Sequence, residues 1–503
     1  MHFPGIIVLA AFWLCQGCPA AARDAAVDIT SILSRQDWSS QTEISIPGER
    51  EFANATTRWT EYRAPTYSAA LSVASEEDLV TAVKLATAHN IPFLATGGRH
   101  GYVGTLGDLH NGLALDLSPL DSISIDASAG TLTVGPGVRV SEIYDPVFEA
   151  GYQIRNAIDY QCQQIETGIC SCVGMIGLTL GAGIGRQQGT NGLVLDALLS
   201  ARVVTASGEI LEASETSNPD LFWAIRGAGQ NFGIVSSATY QLHPLSGTFT
   251  SIDLAFPAHL NSPFFHALAD FNLTEKWAIA SYIFYDTATG ETGLRASCVY
   301  HGPKNDAIPL LAPILGLGPR EKNITELPWN RLTAEGSFGL DAKICTPGGQ
   351  HELFAANLRY RNATAWVSMF NAMSDLFAST PGARQGTVLF EAWSNQAMKA
   401  VPDEETAYPW RDTQVYVSVQ NAWTEGDDGA RDAAAATGRA IREELAETSG
   451  YGGLAVYLNY AHGDETLEEV YSERKLPRLA ELKRKYDPDN VFRYYHALPT
   501  VYP

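Results

Sequence analysis

The sequence predicts a two-lobed α+β protein. Its 503 residues exceed what one compact core usually holds, since domains contain roughly 150 residues. Residues 60–244 combine two glycine-rich stretches with strand-like and helix-like runs, and residues 245–450 alternate apolar strand-like runs with helical ones. Dense patterning returns in residues 451–503. We therefore expect an α+β lobe, then a lobe made of a sheet covered by helices, and a closing segment.

Local signals place the elements of both lobes. Ser75 to Asp78 form a capping box, which begins a helix that runs to about His89. Further helices are predicted at Val140–Ala150, Pro219–Ile225, Trp366–Phe377, Asp432–Thr448 and Leu476–Tyr486. Strands are predicted at Ile91–Ala95, Leu113–Leu117, Leu132–Val134, Ala201–Ala206, Ile234–Leu242, Ala278–Tyr285 and Leu294–Tyr300. The first lobe is expected to close near Pro244.

Composition and charge narrow the class of partner. The chain is 45% hydrophobic and has no low-complexity tract, which excludes disordered, collagen-like and coiled-coil classes. It carries 34 Lys and Arg against 56 Asp and Glu, a net charge of -22. Because this charge repels polyphosphate backbones, we expect neither nucleic acid nor an anionic membrane as a partner. The oligomeric state is left open.

The first residues predict secretion. Ile6–Leu14 form an apolar run too short to span a bilayer, which takes about 20 residues, and small residues at Ala20–Ala22 follow it. This pattern is typical of a signal peptide over residues 1–22, although a basic start is missing and a buried helix is the alternative. Four N-x-S/T sequons agree with a secretory route. They lie at Asn54, Asn272, Asn323 and Asn362.

Removal of the signal peptide leaves an odd number of cysteines. The five that remain are Cys162, Cys170, Cys172, Cys298 and Cys345. Five thiols cannot all pair within one chain, so one is left over.

A histidine inside a glycine-rich loop is the first candidate for chemistry. Gly97, Gly98 and Gly101 follow a predicted strand, and such a loop with Arg99 beside it suits a pyrophosphate, the alternative being a plain turn. His100 has no packing reason to stand there. The chain lacks a P-loop, and residues 227–233 lack the spacing and the strand that a dinucleotide fingerprint requires. It also lacks H-E-x-x-H, paired C-x-x-C and G-x-S-x-G motifs, and no metal site is predicted.

Several separated motifs resemble one flavoprotein family. T-G-G-R-H-G-Y begins at residue 96, V-G-M-I-G-L-T-L-G-A-G-I-G-R-Q-Q-G-T-N-G-L-V-L-D at 173, and D-L-F-W-A-I-R-G-A-G-Q-N-F-G-I-V at 220. These segments resemble the FAD-binding fold of the vanillyl-alcohol oxidase family. Y-L-N-Y at 457 and K-Y-D-P-D-N-V-F at 485 resemble the C-terminal segment of its berberine-bridge-enzyme-like branch. The resemblance covers residues 60–244 and 451–496 and is weak between them.

The resemblance implies the fold and the activity. It implies a PCMH-type FAD-binding domain at residues 60–244, interrupted by a substrate domain of antiparallel sheet and helices at 245–450, with residues 451–503 returning to the FAD domain. The activity implied is a secreted FAD-dependent oxidase that uses dioxygen and a small-molecule substrate such as an alcohol, a sugar or a secondary metabolite. Three alternatives stay open: a tailoring enzyme that forms a ring or double bond, a dehydrogenase with another acceptor, and a binding protein without turnover.

The resemblance also implies how FAD is held. The histidine that binds the flavin 8α-methyl group covalently falls on His100, and the cysteine that bonds flavin C6 falls on Cys170. Cys172, two residues on, departs from the usual pattern. The alternative is therefore a disulfide from Cys170 or Cys172 to Cys162, with FAD held through His100 alone. Val173 falls on the oxygen gate. Further cofactor contacts are implied at Thr96, Gly97, Gly98, Arg99, Gly101, Gly174, Gly177, Gly181, Gly183, Gly185, Gly233 and Ile234.

On the substrate side, the resemblance implies Tyr457, Tyr102 and Asn459. A tyrosine serves as a base only if its pKa, about 10 in water, is lowered or if it relays the proton to another base. Either tyrosine can instead be a core aromatic, and the choice between the two stays open.

If Cys170 holds the flavin, the other four cysteines form an even set. Of their three possible pairings we name Cys298 with Cys345 and Cys162 with Cys172.

Overall fold

The computed structural model describes residues 28–154, 170–244 and 247–503. The predicted signal peptide, residues 1–22, and Cys162 lie outside the described residues. We call residues 28–244 the first lobe and residues 247–450 the second lobe.

Sheet 1 of the first lobe places a loop at the edge where two parallel strands end. Its strand order is β1-β2-β4-β3, with β2 and β3 both parallel to β4 and β1 antiparallel to β2. Ser75 accepts a hydrogen bond from the Asp78 N–H and caps helix α3, as predicted. Thr96 pairs with Asp116 at the last position of the β3–β4 ladder, so the glycine-rich loop begins at this edge. The elements are α1 (Ile29–Leu33), β1 (Glu43–Ser45), α2 (Arg50–Thr56), β2 (Tyr67–Ser72), α3 (Glu76–Ala88), β3 (Phe93–Thr96) and β4 (Gly112–Asp116).

Sheet 2 of the first lobe is antiparallel throughout its described pairs. Its order is β5-β6-β10-β8-β9, and β7 also pairs with β10. The elements are β5 (Ile123–Asp126), β6 (Thr131–Val134), α4 (Val140–Glu149), β7 (Tyr152–Ile154), α5 (Met175–Gly181), α6 (Gln188–Asn191), β8 (Leu198–Val204), β9 (Ile210–Ser214), α7 (Pro219–Ala228) and β10 (Ile234–Pro244).

Sheet 3 forms the second lobe and is antiparallel in the order β14-β11-β13-β12-β16-β17-β15. Its strands are β11 (Phe249–Phe256), β12 (Trp277–Asp286), β13 (Glu291–His301), β14 (Glu321–Leu327), β15 (Gln350–Leu358), β16 (Thr387–Trp393) and β17 (Val415–Trp423). Its helices are α8 (Asn261–Asp270), α9 (Lys304–Leu310), α10 (Ala312–Leu315), α11 (Trp329–Glu335), α12 (Asp341–Ile344), α13 (Ala363–Ser379), α14 (Gln396–Ala400) and α15 (Asp428–Glu447).

The two faces of sheet 3 have different neighbours. Side chains alternate between the faces of a strand, and in β16 Val388 and Phe390 pack into the core beneath the covering helices. Leu389 and Trp393 belong instead to a cluster that includes Ile184 of the first lobe. The face opposite the helices therefore meets the first lobe.

The last described segment contacts the first lobe through a buried lysine. It contains α16 (Leu467–Tyr471) and α17 (Leu476–Tyr486). Lys483 is fully buried and donates to the carbonyl oxygens of Asn231 and Phe492 and to Asp487. A buried ammonium needs such a set of acceptors, so these bonds tie the C-terminal segment to the end of α7.

The predicted helices and strands are present, with ends shifted by a few residues, and the predicted α+β class with an antiparallel, helix-covered middle sheet is confirmed.

The named disulfide pairing is wrong. Cys172 pairs with Cys345, with a Cα–Cα distance of 5.7 Å. Cys298 keeps a free thiol because it lies inside β13 and is fully buried in the core of sheet 3, whereas Cys345 follows α12 beside residues 170–174. A disulfide from Cys172 to Cys162 is excluded by the same bond.

A charged histidine joins the C-terminal segment to sheet 3. His462 Nε2 lies 2.9 Å from Glu352 of β15, and its Nδ1 lies 3.2 Å from Asp464, which Arg442 also binds. The ring stacks on Phe354. Burial lowers the pKa of His462, but the two carboxylates outweigh it and raise the pKa to about 9. His462 is therefore an imidazolium at neutral pH.

This joint predicts a loss of stability at alkaline pH. Because the folded state raises the pKa of His462, its contribution is complete below the unfolded pKa of about 6.5 and is lost as pH rises through about 9. We expect the free energy of unfolding to fall by about 3 kcal/mol across this range. Chemical denaturation at a series of pH values measures it. The variant His462→Gln should lack this pH-dependent part, whereas His110→Gln, at an exposed histidine, should keep it. If the free energy of unfolding of the wild type does not change between pH 6.5 and 9, the proposed contribution of His462 is wrong.

Candidate active site

A cavity lies where the first lobe, the open face of sheet 3 and the C-terminal segment meet. Most of the site residues predicted from the sequence line this cavity. Those on its wall are Thr96, Gly97, Gly98, Arg99, His100, Gly101, Tyr102, Cys170, Val173, Gly174, Gly177, Gly233, Ile234, Tyr457 and Asn459.

Three predicted glycines, Gly181, Gly183 and Gly185, are not among the residues that line the cavity, and two of them allow close packing behind it. A Cβ on Gly181 would lie 2.2 Å from the Asn459 amide oxygen, and one on Gly183 would lie 2.3 Å from Val194. The N–H of Gly185 donates to Gln188. Their role as cofactor contacts stays a prediction.

Two glycines let the loop after β3 approach other backbone segments. A Cβ on Gly97 would lie 2.0 Å from the carbonyl oxygen of Pro136, and one on Gly98 would lie 2.3 Å from the nitrogen of Gly174. Real Cβ atoms do not approach so closely, so only glycine fits. The contact brings His100 and the segment after Cys170 onto one wall.

His100 presents a buried ring nitrogen to the cavity. Its Nε2 makes no hydrogen bond to any residue that the structure describes, and the ring stacks on Trp59 at 4.7 Å. Burial lowers the pKa of His100 to about 4, and the nearby Arg58 lowers it further. The imidazole is therefore neutral at physiological pH, and its Nε2 can bond to a group in the cavity.

Arg99 is held by protein groups. Its guanidinium donates to Asp116 at 2.6 Å and to the carbonyl oxygen of Thr57. Its charge is thus balanced by a buried carboxylate, and the predicted pyrophosphate contact would share the guanidinium with Asp116.

Cys170 is a free, half-buried thiol on the same wall. Burial raises its pKa to about 12, and the charges of Asp341 and Glu391 add to this effect. The next residue, Ser171, donates through its N–H and its hydroxyl to Asp341 at 2.8 and 2.6 Å. The thiol is therefore protonated at neutral pH and sits on an anchored segment.

The predicted tyrosines lie in the cavity, but neither is poised as a base by itself. The Tyr457 hydroxyl accepts hydrogen bonds from Asn459 Nδ2 at 2.9 Å and from the Gly183 N–H at 3.3 Å. The Tyr102 hydroxyl is buried and has no hydrogen-bond partner. Burial raises the pKa of both phenols above the usual value. This geometry favours the alternative in which a tyrosine relays the substrate proton to another base.

Glu391 is a candidate for such a base, and it was missed from the sequence. It is fully buried in β16, lines the cavity beside Leu389 and Trp393, and accepts a hydrogen bond from the Tyr460 hydroxyl at 3.0 Å. Its signal was present: a single carboxylate interrupts the apolar strand from Val388 to Trp393 and alternates onto the face opposite the helices.

Arg58 and Trp59 were also missed and both line the cavity. Arg58 is buried and donates to the Gly101 carbonyl oxygen at 2.6 Å. Trp59 lies between the rings of His100 and His351. They precede the predicted lobe boundary, and no local pattern distinguishes them.

Models of two families match the chain. A model described as an FAD binding domain matches residues 67–214, and one described as berberine and berberine like matches residues 456–499. An FAD-linked oxidoreductase of Pyricularia oryzae is 47% identical over 482 residues, which cover 94% of this chain and 93% of that protein.

Solved structures share the fold. The BBE-like 1 protein of Physcomitrella patens superposes with a TM-score of 0.79 at 22% identity, covering 94% of this chain and 99% of that one. A carbohydrate oxidase from Microdochium nivale superposes with a TM-score of 0.76 at 22% identity, with the same coverage of 94% and 99%.

The chain is thus an FAD-binding flavoprotein and an oxidoreductase by class. It belongs to the FAD-linked oxidoreductases of the berberine-bridge-enzyme-like family, as its motifs predicted. Within the described ranges, none of the helices is long and apolar enough to cross a membrane.

The close contact of Gly98 with Gly174 generates a test of the FAD site. We expect Gly98→Ala to push the two backbones apart, to destabilise the protein by about 1–3 kcal/mol and to lower the FAD bound per chain. Gly453→Ala is the control, since this exposed glycine is not part of the cavity wall and its Cβ would meet no atom within 4 Å; it should change stability by less than about 1 kcal/mol and leave the FAD content unchanged. Thermal melting and flavin absorbance per chain measure both effects. Equal FAD content in the two variants would count against the close contact.

Proposed function

We propose that this FAD-linked oxidoreductase is a secreted oxidase with covalently attached FAD. A substrate CH–OH group loses its C–H as hydride and its O–H as a proton and becomes a carbonyl, and dioxygen takes up both hydrogens to give hydrogen peroxide. The observation that carries the proposal is one cavity that holds both the neutral His100 imidazole, whose Nε2 has no hydrogen-bond partner among the described residues, and the buried Glu391 carboxylate.

The residues present fit FAD. The glycines at 97, 98 and 101 leave backbone exposed along the cavity for a pyrophosphate, and the unpartnered His100 nitrogen and the free Cys170 thiol lie on the same wall. FAD bound there supplies the hydride acceptor and passes electrons to dioxygen. Val173, which falls on the family's oxygen gate by resemblance, lines the same cavity.

We propose that both His100 and Cys170 bond the flavin. Each bond replaces one flavin C–H, at the 8α-methyl group for His100 and at C6 for Cys170, together with one N–H or S–H of the protein. The two electrons and two protons released go to dioxygen, which becomes hydrogen peroxide. Burial favours the neutral imidazole that the first bond requires.

We assign the base to Glu391, either directly or through Tyr460. Its carboxylate is fully buried, and the Tyr460 hydroxyl donates to it at 3.0 Å. The substrate contacts are then Tyr457, Asn459 and Tyr102. Asn459 donates a hydrogen bond to the Tyr457 hydroxyl, and the Tyr102 hydroxyl has no hydrogen-bond partner among the described residues. Leu389 and Trp393, two residues away on either side, place apolar side chains on the same face of β16 as the carboxylate.

Secretion is supported by the N-terminal apolar run and by the sequons. Asn54, Asn272 and Asn323 are exposed, and Asn362 is half-buried at the start of α13. N-terminal sequencing of the protein from a eukaryotic host should find residues 1–22 removed.

The oxidase activity is tested by turnover. Carbohydrates, aromatic alcohols and alkaloid-like amines are screened for peroxide release, and each active substrate is mixed with the protein under anaerobic conditions to follow loss of flavin absorbance. Peroxide release with rapid reoxidation by dioxygen is the expected result. Turnover only with quinones or dyes would leave a dehydrogenase, and a cyclised product would indicate a tailoring enzyme.

The base assignment predicts a selective loss of rate. Glu391→Gln keeps the shape of the side chain but removes the proton acceptor, so we expect kcat/KM to fall by about 10²–10⁴-fold with FAD content and melting temperature close to wild type. Stopped-flow reduction of the flavin measures the step directly. Tyr460→Phe serves as the comparison: it should be as slow as Glu391→Gln if the proton passes through Tyr460, and faster if the carboxylate acts directly. Unchanged flavin reduction in Glu391→Gln would remove Glu391 from the mechanism.

A further inference from the structure

One segment of the second lobe contacts residues that lie beside both proposed flavin anchors. Residues 341–351, which we call the brace, run from α12 into the start of β15. Ile344 of the brace lines the cavity. On one side the brace meets the segment that carries Cys170, and on the other it meets residues 58–61, which lie between α2 and β2.

The Cys170 side is held by three bonds over two consecutive residues. Cys172 forms the disulfide with Cys345, and Ser171 donates twice to the side chain of Asp341. All three bonds lie within two residues of Cys170. This part of the chain is also fixed on its other side, where the Ser141 N–H donates to the Ser171 carbonyl oxygen and the Val140 N–H to that of Val173.

The His100 side is held without a disulfide. Trp59 stacks between His100 and His351, and its Nε1 donates to the Ile344 carbonyl oxygen at 2.7 Å. Backbone bonds join Gly348 to Arg58 and Glu61 to Gly349. The disulfide is therefore not among the bonds that join the brace to the His100 side.

We propose that the Cys172–Cys345 disulfide, together with Asp341, is a positioning device for Cys170 that enables the second flavin bond. This inference rests on the proposed attachment through His100 and Cys170. Bond formation between the thiol sulfur and flavin C6 requires the two atoms to be held near bonding distance, and a loss of about 1 Å in placement can slow such a step by about 100-fold. The disulfide joins Cys170's own segment to the lobe opposite, across a sequence separation of 173 residues.

A disulfide of this kind also stabilises the protein by restricting the unfolded chain. The two roles have different signatures. A stabilising role lowers the melting temperature of the variant and leaves the flavin on Cys170. A positioning role removes the flavin from Cys170 and leaves it on His100, since the bonds around Trp59 remain.

The test compares three full-length proteins loaded with FAD: the wild type, the double variant Cys172→Ser with Cys345→Ser, and the control Cys298→Ala. The double variant removes the disulfide without creating a new thiol, and the control removes a free thiol buried in the core of sheet 3. Peptide mass spectrometry of the denatured proteins measures the fraction of Cys170 and of His100 that carries flavin. Melting temperatures are recorded in parallel.

We expect the wild type and the control to carry flavin on both residues. In the double variant, flavin on Cys170 should fall by about tenfold or more, with attachment to His100 close to complete. A double variant that melts earlier but keeps flavin on Cys170 overturns the positioning role and leaves the proposed attachment intact. A wild type without flavin on Cys170 overturns the proposed double attachment itself, and the positioning role with it.

A second variant decides the question if the double variant does not fold. Asp341→Ala keeps the disulfide and removes both hydrogen bonds to Ser171. A fall of several-fold in flavin on Cys170, with His100 still loaded, supports the proposal, and unchanged attachment overturns it.

Discussion

The structure depends on a contact in which no side chain takes part. The loop after β3 and the segment before α5 approach each other so closely at Gly98 and Gly174 that a Cβ on Gly98 would lie 2.3 Å from the Gly174 nitrogen. The N–H of Met175 at the start of α5 donates to the Val138 carbonyl oxygen, which keeps the second segment in place. Because these two backbones touch, His100 and Cys170, which are distant in sequence, share one wall. The same contact leaves backbone atoms rather than side chains at the surface that faces the cavity.

The second lobe supplies the opposite wall of the cavity through the alternation of side chains along β16. Alternation sends Val388 and Phe390 into the helix-covered core and leaves Leu389, Glu391 and Trp393 facing the first lobe. A buried carboxylate is costly unless it is hydrogen-bonded, and the Tyr460 hydroxyl from the C-terminal segment provides one such bond. The site is thus complete only when both lobes and the C-terminal segment are assembled, and the His462 joint and the brace are among the contacts that hold them together.

The parts of the fold that could be predicted are those with a local signal. The capping box at Ser75, the alternation of β10, the apolar run of β12 and the glycines after β3 depend on residues close in sequence, and the structure contains each of them. The residues of the glycine-rich loop and three of the four residues of the C-terminal Y-L-N-Y run likewise lie on the cavity wall. The missed features depend on distant partners. Trp59 bonds to Ile344, 285 residues away, and Cys172 pairs with Cys345. Parity limited the cysteine pairings but could not select one, because the choice is made by the packing of α12 against residues 170–174.

Burial has opposite consequences for the two proposed anchors. It favours the uncharged form of any group, so it keeps His100 as a neutral imidazole with a lone pair and keeps Cys170 as a thiol, which is a weak nucleophile. The negative charges of Asp341 and Glu391 act against the thiolate as well, and Arg186 offsets them only in part. Under the proposed attachment, His100 therefore has the protonation state that its bond to the flavin requires. Cys170 does not, so its bond depends more on how closely the thiol is placed to the flavin. A thiol in that position profits most from a rigid segment, and the disulfide and the two bonds to Asp341 lie within two residues of it.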